Sequence, residues 1–153
     1  AADLIADLTP LPEIPLHPLR PWQSDLNEYL NRKADERTVN FVVDLLGNTG
    51  KSWFAKYYCR LHDDAFLIRP MKHADMAYAL PNVLRVLFLD CTRQQVEFLP
   101  YSFIESLKDG VVFSPKYESR VKHYGPVHVV VMMNQNPDMD KLSEDRYRII
   151  TTD

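Results

Sequence analysis

The chain has 153 residues, 46% of them hydrophobic and 25% charged, with a formal net charge of -3. That length supports one well-cored domain, and the slight negative balance excludes a protein that coats nucleic acid through bulk charge, so any polyanion has to be held by a local basic strip. Its two cysteines, Cys59 and Cys91, form neither a disulfide framework nor a C-x-x-C metal pair, and they read as free thiols in a reducing compartment.

The first twenty residues lack the basic start and apolar core of a signal peptide, and no run reaches the roughly 18 apolar residues of a membrane span, so a soluble, intracellular protein with no membrane partner is expected. Prolines at 10, 12, 15, 18 and 21 make residues 1–21 an extended polyproline-like linker, and the expectation is a piece of a longer protein. Trp22, Leu26, Tyr29 and Leu30 then share one side of a helix, so residues 22–37 form a helical segment whose stripe must pack on something. Residues 38–153 carry the remaining pattern, the core of the chain.

That core opens on TVNFVVDLL, β-branched and almost wholly apolar, as a strand covered on both faces should be. A tight turn and a helix over 50–61 follow. AFLI is a short strand, HADMAYAL a short helix and VLRVLFLD a second strongly apolar strand; YSFIESLK is a helix, GVVFSPKYESRVKHYG an alternating hairpin with a polar tip, VHVVVMMN a third buried strand, and DRYRIIT a closing strand. Such alternation predicts an α/β fold with a mostly parallel central sheet flanked by helices.

The junction GNTGKS, Gly47 to Ser52, has the parts of a phosphate loop. Gly47 and Gly50 let the backbone turn its N–H groups inward around Asn48 and Thr49, Lys51 can bridge outer phosphates, Ser52 can ligate Mg2+, and the helix that follows aims its N-terminus at the same place. Position 45 is Leu45, where the full pattern has its first glycine, so a glycine-rich turn with an exposed lysine is the plainer alternative. Asp90 closes a strand where a magnesium acid would sit, or else caps a turn. Its neighbour Cys91 is a poor base, which leaves Glu105 and Glu97 as candidates to activate water. Asn134 ends the third strand on the same rim, either oriented toward a γ-phosphate or serving the turn NQNPD.

Taken in order, PWQ, VVDLLGNTGKSWFAKYY, HADMAYAL, VLFLDCTR, YSFIESLKDGVVFSPKYESR, PVHVVVMMNQNPD and LSEDRYRII resemble the superfamily 3 helicase domain of replication-associated (Rep) proteins from circular single-stranded-DNA viruses, over roughly residues 20 to 151. The resemblance implies an AAA+-like P-loop NTPase that hydrolyses ATP with Mg2+ at the subunit junctions of a hexameric ring, translocates on single-stranded DNA, follows an N-terminal endonuclease domain not present in this sequence, and works in the host nucleus. By the same resemblance Gly47 to Ser52 are the phosphate loop, Lys51, Asp90 and Asn134 are catalytic, with Ser52 and Asp90 on the metal, and Arg146, or Arg148 if the register slips, reaches a neighbour's nucleotide. The hairpin implies DNA contacts from Lys116, Tyr117, Arg120, Lys122 and His123, with Tyr124 offering another ring, and the 22–37 segment implies help in joining subunits. Two other functions use the same loop: a nucleotide-binding oligomerisation module without motor activity, and a small P-loop kinase, for which no lid sequence is visible.

Overall fold

Residues Val39–Val43 (β1) are buried at every position, and so are His128–Met133 (β6), which fixes both as central strands covered on two faces. The computed structural model describes residues 17–91 and 100–152. Most of the proline-rich linker, Glu97, and Thr92 and Arg93 of the DCTR motif lie outside the described residues.

Among the described residues the elements are, in chain order, α1 (Pro21–Leu30), β1, α2 (Lys51–Leu61), β2 (Ala65–Ile68), α3 (His73–Ala79), β3 (Val86–Asp90), α4 (Tyr101–Lys108), β4 (Val111–Ser114), β5 (Arg120–His123), β6, a 3-10 turn (Glu144–Arg146) and β7 (Tyr147–Thr151). Five strands form one sheet in the order β2-β3-β6-β1-β7, every pairing parallel, while β4 and β5 pair antiparallel as a separate hairpin. The expected mostly parallel sheet is therefore wholly parallel, and the hairpin stands outside it.

Alternation along the strands divides the core in two. Val39, Phe41 and Val43 face one side with Leu87, Leu89, Val129 and Val131, covered by Met76 of α3 and by Phe103, Ile104 and Leu107 of α4. Val42, Val86, Phe88, Val130 and Met132 face the other, covered by Phe54, Ala55 and Tyr58 of α2 and by Trp22, Leu26 and Leu30 of α1.

The apolar stripe of α1 is thus buried within its own chain, leaving polar residues such as Asp25 and Glu28 exposed. Its carboxyl end is held as firmly as its face. Arg85, in front of β3, donates to the Leu30 carbonyl and to the Tyr58 hydroxyl (2.8 Å) while its Nε pairs with Asp64 at 2.9 Å.

Strand order decides where the site lies. Because β6 is inserted between β1 and β3, and Val43 pairs with Met133 while Asp90 pairs with Met132, the carboxyl ends of three neighbouring strands deliver Asp44, Asn134 and Asp90 to one rim. Ligands of open parallel sheets bind beyond such an edge.

Candidate functional site

The loop between β1 and α2 needs unusual backbone at three of four successive positions. Gly47, Asn48 and Gly50 all take positive φ (87°, 62° and 89°), the left-handed region open to glycine and tolerated by asparagine. This conformation is folded around one side chain that the sequence does not single out. Asp44, fully buried, accepts the Gly47 N–H at 2.6 Å, the Thr49 N–H at 3.2 Å, the Thr49 hydroxyl at 2.5 Å and the Lys51 ammonium at 3.1 Å. Burial alone would raise its pKa; the Thr49 hydroxyl, the Gly47 N–H and Lys51 outweigh that and hold the carboxyl well below the ordinary range.

Lys51 and Ser52 open α2, whose first N–H groups have no partners inside the helix. Ser52 donates to Asp90 Oδ2 at 3.3 Å, so the hydroxyl and the acid meet as a magnesium site requires. Among the described residues no group of three or more His, Cys, Asp or Glu can hold a metal by itself. A Mg2+ carried in by nucleotide phosphates keeps several waters and needs only one hydroxyl and one nearby acid, so Ser52 and Asp90 fit it. Cavities of about 240 Å³, lined by Asn48 to Trp53, and about 270 Å³, lined by Ser52, Lys56, Arg69 and Asp90 among others, flank Ser52 on its two sides.

Asn134 donates its amide to the Asp44 carbonyl at 3.2 Å, tying the end of β6 to the start of the loop. Cys91 is buried, and burial followed by the Asp90 charge pushes its thiol up to about 12, so it stays protonated and cannot act as the base. Glu105 does not reach this rim. It lies on α4 one turn before Lys108, whose ammonium binds the carbonyls of Asp35 and Val127 at the opposite, amino end of the sheet.

At the hairpin, the tip between β4 and β5 presents Tyr117, 84% exposed and with a φ of 53°, against Tyr78 of α3 at 5.1 Å between ring centroids. Arg120 and His123 are exposed, and Lys116 pairs with Asp75. A groove of about 710 Å³ runs between this tip and the end of α3. Lys122 is placed differently: its ammonium donates to the carbonyls of Ala77, Tyr78 and Leu80 at 2.7, 3.0 and 2.9 Å, so it caps the carboxyl end of α3 with every N–H it has. Tyr124 likewise turns inward, donating to the Pro81 carbonyl at 2.8 Å.

No family model matches the chain. Individual proteins do. It is 38% identical over 139 residues to Para-Rep C7 of the Faba bean necrotic yellows C7 alphasatellite, and 36% identical over 135 residues to Para-Rep C6 of the Subterranean clover stunt C6 alphasatellite, in both cases over 86% of this chain. It is 35% identical over 127 residues, 83% of its length, to the master replication protein of Faba bean necrotic yellows virus. The chain is a homologue of nanovirus Rep and Para-Rep proteins. It spans about half the length of the curated relatives it matches: 48%, 47% and 43% of these three.

The parallel sheet and flanking helices agree with the helicase region of such Rep proteins. Two arginines singled out by the resemblance to Rep lie away from the rim that carries Asp44, Asn134 and Asp90. Arg146, in the 3-10 turn before β7, is 7% exposed at the amino end of the sheet, with its Nη2 3.7 Å from Asp109 and its Nη1 without a partner among the described residues. Arg148 donates to Asn40 Oδ1 at 2.9 Å and lies over the Tyr29 ring, which joins β7 to α1. Neither guanidinium projects freely from the surface.

Asp44, Tyr78 and Thr152 are rim and groove residues the sequence leaves unmarked, and it gives Trp22 and Gln23 of PWQ no place at the loop. Trp22 and Gln23 both end on the loop, and the Thr152 hydroxyl lies 2.8 Å from that of Thr49. Only Asp44 carried a local signal: an acid immediately before a glycine-rich loop, at the end of an otherwise apolar strand.

Proposed function

We propose that this chain is the ATP-dependent helicase module of a Rep-type replication initiator, an AAA+-like P-loop NTPase that binds Mg2+–ATP at Gly47 to Ser52 and moves single-stranded DNA past the β4–β5 hairpin. The observation that carries this is the meeting of Ser52 with Asp90 at the mouth of a left-handed loop that opens a helix at the carboxyl rim of a parallel sheet. Homology to Rep and Para-Rep proteins supports it. Bound Mg2+ would neutralise charge on the phosphates; Lys51 would transfer its ammonium from Asp44 to them, Asp90 would orient the metal's water, and Asn134 would steady the loop beside the terminal phosphate. DNA would stack on Tyr117 and meet Lys116, Arg120 and His123.

A ring of subunits, six by analogy with helicases of this type, supplies the missing stabilising cation. Arg146, buried but held among the described residues by one long ion pair, is the candidate to turn outward and reach a neighbour's nucleotide, whereas Arg148 is committed to Asn40 and Tyr29. Turnover per subunit then rises with protein concentration, and mixing inactive Lys51→Ala with inactive Arg146→Ala subunits restores part of it. Protonated Cys91 beside Asp90 favours a second reading, a nucleotide-binding assembly module with little turnover.

The deciding experiment is calorimetry with Mg2+–ATP followed by ATPase assays with and without single-stranded DNA. Binding lost in Lys51→Ala together with DNA-stimulated turnover supports the motor. Binding without turnover supports the module, and absence of Mg2+-dependent ATP binding in the parent overturns both.

A further inference from the structure

The Trp22–Gln23 pair takes no part in the chemistry proposed above, yet both side chains end on the phosphate loop. Pro21 starts α1, as proline does well at a first helical position, and this sets the next two residues facing the loop. Trp22 donates its indole N–H to the Thr49 carbonyl at 3.2 Å; Gln23 donates its amide N–H to the Gly50 carbonyl at 3.1 Å. Gln23 is fully buried, and its Oε1 accepts the Arg20 N–H at 2.9 Å, which fixes which end of the amide meets the loop. The approach is so close that a Cβ on residue 50 would lie 2.7 Å from Gln23 Nε2. Gly50 is required by its own φ of 89°, and a side chain there would in addition push the Gln23 amide away from the loop.

We propose that Trp22 and Gln23 are positioning residues for phosphate recognition: by holding the carbonyls of Thr49 and Gly50 on the outside of the loop, they aim the N–H groups of Gly50 and Lys51 inward at the nucleotide. A trans peptide unit carries its C=O and N–H on opposite sides, so gripping one oxygen sets the direction of the following N–H. Asp44 restrains Gly47 and Thr49 but neither of these two N–H groups. Without the grip, the peptides on either side of Gly50 are the ones most free to rotate, because glycine offers the least resistance. The Gly50 oxygen also receives the Phe54 N–H at 3.0 Å, so Gln23 reinforces the first hydrogen bond of α2 at the point where the helix meets its ligand.

This inference rests on the nucleotide-binding reading, and its test separates the two. Trp22→Phe keeps a ring beside Phe54 and removes only the donor; Gln23→Met keeps the volume and removes both polar ends. Calorimetry with Mg2+–ATP, Mg2+–ADP and AMP, and steady-state ATPase assays, are run on both variants and the parent. Each variant is expected to weaken Mg2+–ATP binding about 5- to 20-fold, the effect of losing one such hydrogen bond from an anion site, with a smaller loss for AMP. KM for ATP rises accordingly while kcat stays within about twofold, which distinguishes orientation of binding groups from general damage. If Gln23→Met does not fold, Trp22→Phe decides alone. Parent-like ATP affinity in folded variants, or a fall in kcat at unchanged KM, overturns the positioning role; a parent that binds no Mg2+–ATP overturns the nucleotide reading instead.

Discussion

The Lys51 ammonium lies 3.1 Å from Asp44 Oδ2, with the Lys51 side chain 11% exposed and that of Asp44 wholly buried. The carboxylate thus stands where it organises the loop and neutralises the lysine before any phosphate arrives. On the proposed reading, phosphate binding draws Lys51 away from an existing partner, while Asp44 keeps its bonds to Gly47 and Thr49.

Asp44→Ala is expected to cost about 3–5 kcal/mol of folding stability, because it strands a buried ammonium, two N–H groups and a hydroxyl together. Urea unfolding measures this; a loss below about 1 kcal/mol would show that the loop does not depend on the carboxylate. The pH dependence has a definite sign. A carboxyl depressed in the folded state contributes in full above its unfolded value of about 4, and its contribution fades only as pH falls toward the lower folded value. The melting-temperature gap between parent and Asp44→Ala should therefore be constant from pH 8 to about 4 and narrow below.

His128 acts in the same direction at higher pH. It is buried, its Nε2 lies 2.8 Å from the Arg32 carbonyl, and burial, assisted by Lys108 and Arg85, lowers its pKa despite the raising effect of that carbonyl. Below about pH 6.5 the unfolded chain takes up a proton that the folded chain resists, so stability falls as pH drops through that value. Thermal melts of His128→Gln should lose this slope between pH 7 and about 5; an unchanged slope would place its origin elsewhere.

Asp90→Asn should preserve the fold and lower ATPase turnover by about 10- to 100-fold, the usual effect of removing a group that orients a metal's ligands. Titrating Mg2+ against turnover checks it, since the metal requirement should move to higher concentration. Equal Mg2+ curves for the variant and parent would remove Asp90 from the metal site.

At the hairpin, Tyr117→Ala should weaken single-stranded DNA binding by about 1–3 kcal/mol, and Arg120→Ala should reduce the salt slope by about 0.7. Lys122→Met should instead lower the melting temperature and leave the salt slope alone, because its ammonium already caps α3. Fluorescence anisotropy at several salt concentrations separates these. A reduced slope in Lys122→Met would show that the ammonium leaves its carbonyls for DNA.

β1, β3 and β6 are legible in the sequence because strands covered on both faces have no polar alternation to dilute the signal. The glycine-rich loop stands out as a candidate phosphate loop because its residues are contiguous. Asp44 looks like an ordinary acid at the end of a strand until the loop is folded over it. Trp22 is 27 residues from Thr49, and the helical stripe explains why it is apolar but not why it is tryptophan. Lys122 misleads because alternation along a hairpin identifies a face and not a partner: α3, more than 40 residues earlier, supplies the carbonyls. Arg146 and Arg148 flank the start of β7, and only the sheet order reveals that both lie away from the rim carrying Asp90.

Strand β1 has both its sheet neighbours, β6 and β7, near the far end of the chain, with Val39 pairing to Val129 and to Tyr147. During vectorial synthesis the loop-bearing strand therefore waits, flanked by neither of its sheet partners, until residues 128–133 have emerged, and a product truncated within the hairpin would expose two unpaired edges of a very apolar segment. On the nucleotide-binding reading, Mg2+–ATP can rescue only molecules that have completed this late insertion, so premature stops in β6 should yield aggregates that it leaves unchanged.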